Sequence, residues 1–294
     1  MNQRAMLLSL AVGFAMLAGK GAAYFLTGSA AILSDALESV IHVLAVAFAA
    51  FSLHLSVKPA DSRFPYGYER IAFFSAGFEG ALIILAAVSI IWTAVYKWMH
   101  GLQIERLGTG TLLLVAAAII NGALGWYLVR TGRRSKSIIL EANGRHVLTD
   151  SWTSLGVVAG LCLVMITGWL PFDPILAIAV AVNILWSGTH LVMRSVSGLM
   201  DYADPERTGR VAAAIEPLCR DLGFEHHGLR VRHTGYRTLV EVHLLFPFTL
   251  TIGDAHRRAT VLEEHVAGAL GEEVEVVTHL ESREDHAAVH GAGR

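Results

Sequence analysis

Six long apolar stretches occupy the first two thirds of the chain, at about 6–26, 30–55, 71–99, 109–129, 137–166 and 175–196. Each matches or exceeds the ~20 mostly apolar residues that cross the hydrocarbon of a bilayer, which predicts six transmembrane helices. Gly28-Ser29 separates the first pair and Pro171-Phe-Asp-Pro174 the last, both as very short turns, while polar loops part the others. The first stretch has no small-residue cleavage site followed by polar sequence and reads as a permanent span. From Asp201 onward the pattern changes. Asp204 followed by Pro205 is a helix-start signal, predicting a helix to about Leu222. Residues 229–233 and 238–246 read as strands, the second alternating through Leu239-Val-Glu-Val-His-Leu-Leu. Asp254 can cap a helix to about Leu270, and 274–280 is a last strand. The order αββαβ suits a ferredoxin-like α+β domain, a three-stranded sheet backed by two helices. The predicted layout is a six-helix transmembrane domain over 1–200, a soluble domain over 201–283 and a disordered tail over 284–294.

Composition supports this division. Hydrophobic residues make up 54% of 294 and charged residues 16%, against about 25% charged in soluble proteins. Residues 1–200 hold 13 Lys/Arg and 9 Asp/Glu, net +4, whereas 201–294 hold 10 and 16, net −6, with 9 of the 14 histidines. Basic residues of the short loops fix an orientation. Arg4, Lys58, Arg63, Arg70, Arg130, Arg133, Arg134, Lys136 and Arg194 fall on one side, and only Lys97 and Arg106 on the other. Both termini and the soluble domain are therefore expected in the cytoplasm. Cys162 and Cys219 give no disulfide framework.

Ionisable groups inside the bilayer are expensive and so mark function by default. The second stretch carries Asp35, Glu38 and His42, the fifth His146 and Asp150, each set spaced to share one helical face. Arg145, the one basic neighbour at this depth, points about 100° away from His146. Facing carboxylates and imidazoles repel or stay protonated unless a cation sits between them. Two imidazoles with two carboxylates make a four-coordinate set suited to Zn²⁺, and the two carboxylates balance its charge. Asp35 reads equally as a ligand or as a tether of its helix. Lys20, Glu79, Asn121 and Asn183 read as packing or hydrogen-bonding groups.

These residues lie in recognisable motifs. Ser29-Ala-Ala-Ile-Leu-Ser-Asp-Ala-Leu-Glu-Ser-Val-Ile-His42 resembles the second-helix signature of the cation diffusion facilitator (cation efflux) family, of the bacterial zinc/iron exporter type. Lys58-Pro-Ala-Asp61 with Pro65-Tyr-Gly67 is similar to its next loop. Arg145-His-Val-Leu-Thr-Asp150-Ser-Trp-Thr-Ser-Leu-Gly156 resembles its fifth helix, and Leu199-Met-Asp201 its entry into the cytoplasmic domain. The resemblance implies a homodimeric, proton-coupled exporter of divalent transition metals, not an enzyme, whose transport site maps onto Glu38, His42, His146 and Asp150. It also implies a binuclear zinc site at a cytoplasmic dimer interface, mapping onto His227, His243, His256, His279 and Glu281. Arg70 and Asp201 match a charge pair near the membrane surface.

Two departures stand out. The family usually has Asp or His, then Asp, where Glu38 and His42 stand here. Of a loop site with one Asp and two His only Asp61 remains, the other positions being Phe64 and Tyr68, so Asp61 reads as a turn residue. Manganese-handling members tend to have Asp in place of His146, and imidazole suits zinc better than manganese. Zinc is the expected substrate and cytoplasmic ligand, with Cd²⁺, Fe²⁺, Co²⁺ and Ni²⁺ behind it. Protons, membrane lipid and a second copy of the chain are the expected partners; nucleic acid is not. Two other readings compete: a membrane-anchored metal sensor that binds without transporting, and an intramembrane metalloprotease. The latter lacks HExxH, and Glu38-x-x-x-His42 has no second histidine ligand on its own helix.

Overall fold

The computed structural model describes the backbone of residues 2–27, 30–101, 109–270 and 273–290; the side chains of 20, 21, 23–39, 41 and a scatter of positions in 97–173 and 287–290 lie outside the description. The chain divides into two compact units, Met1–Leu199 and Met200–Arg294.

The first unit is a bundle of six helices of 26 to 30 residues: α1 (Asn2–Thr27), α2 (Ala30–Ser56), α3 (Ile71–His100), α4 (Thr109–Arg134), α5 (Ile138–Thr167) and α6 (Phe172–Leu199). Gly28-Ser29 lies outside the described residues. Among the described residues, Ile71–His100 and Pro174–Leu199 are by length and composition apolar enough to cross a membrane. The helices pack mainly as the pairs α1/α2, α3/α6 and α4/α5, with α5 also touching α3, α6 and α2. Two glycine pairs permit close approaches. A Cβ on Gly80 would stand 3.2 Å from the Gly188 carbonyl, and one on Gly125 2.9 Å from that of Gly144. Small residues let membrane helices touch backbone to backbone, where packing replaces the hydrophobic drive.

Helix ends follow local chemistry. Ser137 caps α5 by accepting from the Leu140 N–H, and Gly168 closes it in the left-handed conformation. α6 begins at Phe172, earlier than the apolar pattern suggests. Pro174 fits inside its first turn because the N–H that proline lacks has no intrahelical partner there.

The second unit runs α7 (Pro205–Leu222), β1 (Glu225–His233), β2 (Thr238–Phe246), α8 (Ile252–Leu270), β3 (Val274–Ser282) and α9 (Arg283–His290). Asp204 caps α7 by accepting from the Glu206 N–H, with Pro205 at the first turn. The sheet order is β1-β2-β3, β1 antiparallel and β3 parallel to β2. Val240, Val242, Leu244 and Phe246 of β2 point into a core completed by Val211 and Ile215 of α7 and by Ala259, Leu262 and Val266 of α8.

Three sequence expectations are corrected. β1 starts at Glu225, four residues early, because a bulge at Gly228 (φ 61°) interrupts the alternation of its first half. α8 is not capped by Asp254: it opens at Ile252, and the Thr251 hydroxyl accepts from the Asp254 N–H. The tail expected to be disordered over 284–294 instead forms α9 as far as His290, with the Ser282 hydroxyl accepting from the Asp285 N–H at 3.4 Å; residues 291–294 lie outside the description.

Candidate metal centre

Two clusters of metal-ligating side chains form, one in each unit. In the bundle, contact between α2 and α5 brings His42 against His146 and Asp150. The two imidazoles stack with centroids 5.0 Å apart and planes 13° apart. His42 Nδ1 lies 3.4 Å from Asp150 Oδ2, and the ligand atoms of the three residues all lie within 4.8 Å of one another. Tetrahedral zinc with bonds of about 2.0–2.2 Å separates its ligand atoms by roughly 3.3–3.6 Å, so little rearrangement would enclose an ion. His146 is 9% exposed, and its Nδ1 is buried with no hydrogen-bond partner among the described residues. Glu38 and Asp35 belong to α2, but their side chains lie outside the described residues.

Two polar networks hold α5 in place. Ser9 donates to Asn143 at 2.8 Å, and Asn143 donates to the fully buried Glu79 at 3.3 Å, tying α1, α5 and α3. Glu141, with a 6% exposed side chain, is met by Arg145 at 2.9 Å, Arg194 at 2.8 Å and Arg133 at 3.5 Å. Arg145 also donates to Ser187 at 3.2 Å, so its cation is directed away from the histidine beside it. Sequence reasoning missed Glu141, though its i, i+4 spacing to Arg145 was a signal.

Asp61 is engaged by its own loop. Its Oδ1 accepts from the Arg63 and Phe64 N–H groups at 2.9 and 3.0 Å, and its Oδ2 from Tyr68 at 2.6 Å and Lys58 at 3.2 Å. The Tyr68 hydroxyl, then the Phe64 N–H, hold this carboxyl far below the usual range.

The second unit builds its cluster by register. His227 pairs with His243 across β1/β2, and His243 with His279 across β2/β3, so three imidazoles form a row on the sheet face opposite the helical core. Glu281, two residues beyond His279, projects from the same face. His227 Nε2 donates to Glu281 Oε2 at 3.0 Å, and His243 Nδ1 to Oε1 at 2.6 Å. Nε2 of His279 lies 3.6 Å from Oε1. Burial pushes the Glu281 carboxyl up, but hydrogen bonds from His227, His243 and His286 outweigh it and bring the pKa down to about 2. His256 is exposed on α8 and joins neither ligand group of this face. His286 of α9, outside the set that the family resemblance implies, donates to Glu281 Oε2 at 2.7 Å. The signal for it was Ser282 ahead of Glu284 and Asp285, a helix-start pattern. Asp201 pairs with Arg232 at 3.4 Å within the second unit, and Arg70 donates to the Leu199 carbonyl at 3.3 Å within the first.

Comparison with known proteins matches this chain to a family. Residues 6–200 match the model of the cation efflux transmembrane domain, and 206–283 that of the cation efflux protein cytoplasmic domain. An uncharacterized transporter of Synechocystis is 37% identical over 279 residues, 95% of this chain and 89% of its own length. A zinc transporter, ZitB, of Yersinia pestis is 29% identical over 205 residues, covering 70% and 65%. A cadmium, cobalt and zinc/H(+)-K(+) antiporter of Bacillus velezensis is 27% identical over 202 residues, covering 68% and 64%. The six long helices, the sheet domain that follows them and matches along nearly the whole chain place this protein in the cation efflux (cation diffusion facilitator) family, as an integral membrane transporter with a cytoplasmic domain rather than an enzyme.

Proposed function

We propose that the protein exports divalent transition-metal ions from the cytoplasm in exchange for protons, with zinc the foremost substrate. It acts as a homodimer with both termini cytoplasmic, a transport domain over 1–200 and a metal-binding dimerisation domain over 201–283. The observation that carries this reading is the cluster of His42, His146 and Asp150 between two helices of a transporter fold, with Arg145 turned onto Glu141. Glu38, one turn before His42, supplies the fourth ligand and second negative charge. The two imidazoles and two carboxylates then hold one divalent ion without net charge. Metal requires the imidazoles deprotonated, so protons arriving from outside displace the ion and reset the site. The names of the Yersinia and Bacillus relatives, a zinc transporter and a cadmium, cobalt and zinc/H(+)-K(+) antiporter, agree with this choice.

In the cytoplasmic domain His227, His243, His279 and Glu281 bind zinc, and the exposed His256 serves across the dimer interface. The donor set suits the ion: imidazole and carboxylate ligands already lie 2.6–3.6 Å apart, and the shortest pairs part by under about 1 Å to reach tetrahedral edges.

Flux in proteoliposomes across a panel of divalent ions tests the reading. Zinc is expected to move, and Glu38→Ala, His42→Ala, His146→Ala or Asp150→Ala to stop it in a protein that still folds. Near wild-type flux in any of the four removes that residue from the site. Zinc binding without flux in the wild type would leave a metal sensor instead.

A further inference from the structure

The cytoplasmic ligands divide unequally between the two oxygens of Glu281. Oε1 gathers His243 at 2.6 Å and His279 at 3.6 Å. Oε2 gathers His227 at 3.0 Å, and its second imidazole is His286, at 2.7 Å, from outside the set that the family resemblance implies. The rings of His227 and His286 stand 4.5 Å apart, crossed at 63°, close to the arrangement of His243 and His279 at 4.9 Å and 58°. Each side of the carboxylate therefore offers two imidazoles and one oxygen, with all ligand atoms of a group within 4.8 Å of one another.

We propose that His286 is a metal ligand, and that an ion held by His227, Glu281 and His286 is a clasp fastening α9 to the sheet. The inference rests on the reading that this domain binds metal, and extends it to the C-terminal segment. Two of the three ligands are set by strands, His227 on β1 and Glu281 on β3, whereas His286 arrives from a helix of 8 residues. Helices this short are marginal on their own. Among the described residues the other anchors of α9 are modest: Arg283 with Glu225 at 3.1 Å, the Phe248 N–H with Glu284 at 2.8 Å, and Ser282 with Asp285 at 3.4 Å. Exposed contacts of this kind contribute little, so an ion bonded to His286 would dominate the docking of α9.

Mixed imidazole and carboxylate donors select a borderline divalent ion, zinc first and cobalt or nickel next, over magnesium or calcium. Three protein ligands leave the fourth tetrahedral position to water. Such a site exchanges with the surrounding pool, so the clasp closes when cytoplasmic metal is high and opens when it is low.

The test uses the full chain in nanodiscs, measuring zinc by equilibrium dialysis and hydrogen exchange of the 283–290 amides with and without zinc. Zinc is expected to slow exchange across α9 in the wild type. His286→Ala is expected to abolish that slowing and to weaken one zinc per chain by about tenfold or more, while His243→Ala retains the slowing. Unchanged exchange of β2 and α8 amides confirms that the variant is folded. If α9 does not respond to zinc, or responds equally with His286→Ala, while His227→Ala still loses an ion, the clasp is overturned and the cytoplasmic site survives. If His227→Ala, His243→Ala and His279→Ala all bind zinc as the wild type does, the cytoplasmic metal reading itself fails and the clasp falls with it.

Discussion

The lone pairs of a carboxylate decide whether it is available to an ion, and those of Asp61 are taken up by its own loop. Asp61 accepts from two backbone N–H groups, a tyrosine and a lysine of its own loop. Metal would have to displace all of them. Asp61→Ala is therefore expected to leave zinc flux at the wild-type level, whereas Asp150→Ala abolishes it; side-by-side flux assays decide, and an Asp61 variant as dead as the Asp150 one would place the loop in the transport path. That His146 and Asp150 share one helical face was legible in the sequence because helical periodicity assigns a face from spacing alone, whereas the meeting of that face with His42 was implied by the family resemblance. Register explains the row of His227, His243 and His279, but register is not readable until strand pairing is known. His286 was less legible still, since its approach to Glu281 depends on how the chain turns after β3, in a segment without apolar periodicity to announce a helix.

Among the elements, α5 carries the most demands. It supplies His146 and Asp150, contacts all five of the other bundle helices, and is held at its N-terminal end by Glu141. Removing Glu141 leaves the partly buried Arg145 without its carboxylate while Arg133 and Arg194 remain solvated, at a cost of about 1–3 kcal/mol. Glu141→Ala should lower the thermal stability of the purified protein accordingly and reduce zinc flux indirectly, because Arg145 is then released beside His146. Glu141→Asp, which keeps the charge, should recover part of the stability; a Glu141→Ala protein that melts like the wild type would show the network to be incidental. Asn143→Leu should act on a similar scale, by about 1–3 kcal/mol, since it deprives buried Glu79 of its donor. Six long helices were evident in the sequence because their apolar runs are continuous. Their ends were not, because caps such as Ser137 or the start of α6 at Phe172 depend on one or two local hydrogen bonds or a proline position.

At the scale of the whole molecule, charge is distributed as a cation exporter requires. The bundle segment is net +4 and the cytoplasmic segment net −6, so the cytoplasmic domain attracts cations. Among the described residues, the intramembrane cluster of His42, His146 and Asp150 contains no fixed cation, so under the proposed mechanism these groups, with Glu38, carry either metal or protons through the transport cycle. That exclusivity makes a directional prediction. Imidazole titrates near pH 6.5 when unperturbed, and a protonated imidazole cannot bind zinc. Lowering the pH on the cytoplasmic side should therefore inhibit export by competing for His42 and His146. Lowering it on the opposite side should accelerate export by discharging the ion there and returning a protonated site. Zinc flux measured in proteoliposomes with the two pH values varied independently should show opposite dependences on the two faces. Flux that ignores pH on both sides between about 5.5 and 8, the range over which histidine ordinarily changes charge, would rule out proton exchange while leaving the metal site intact.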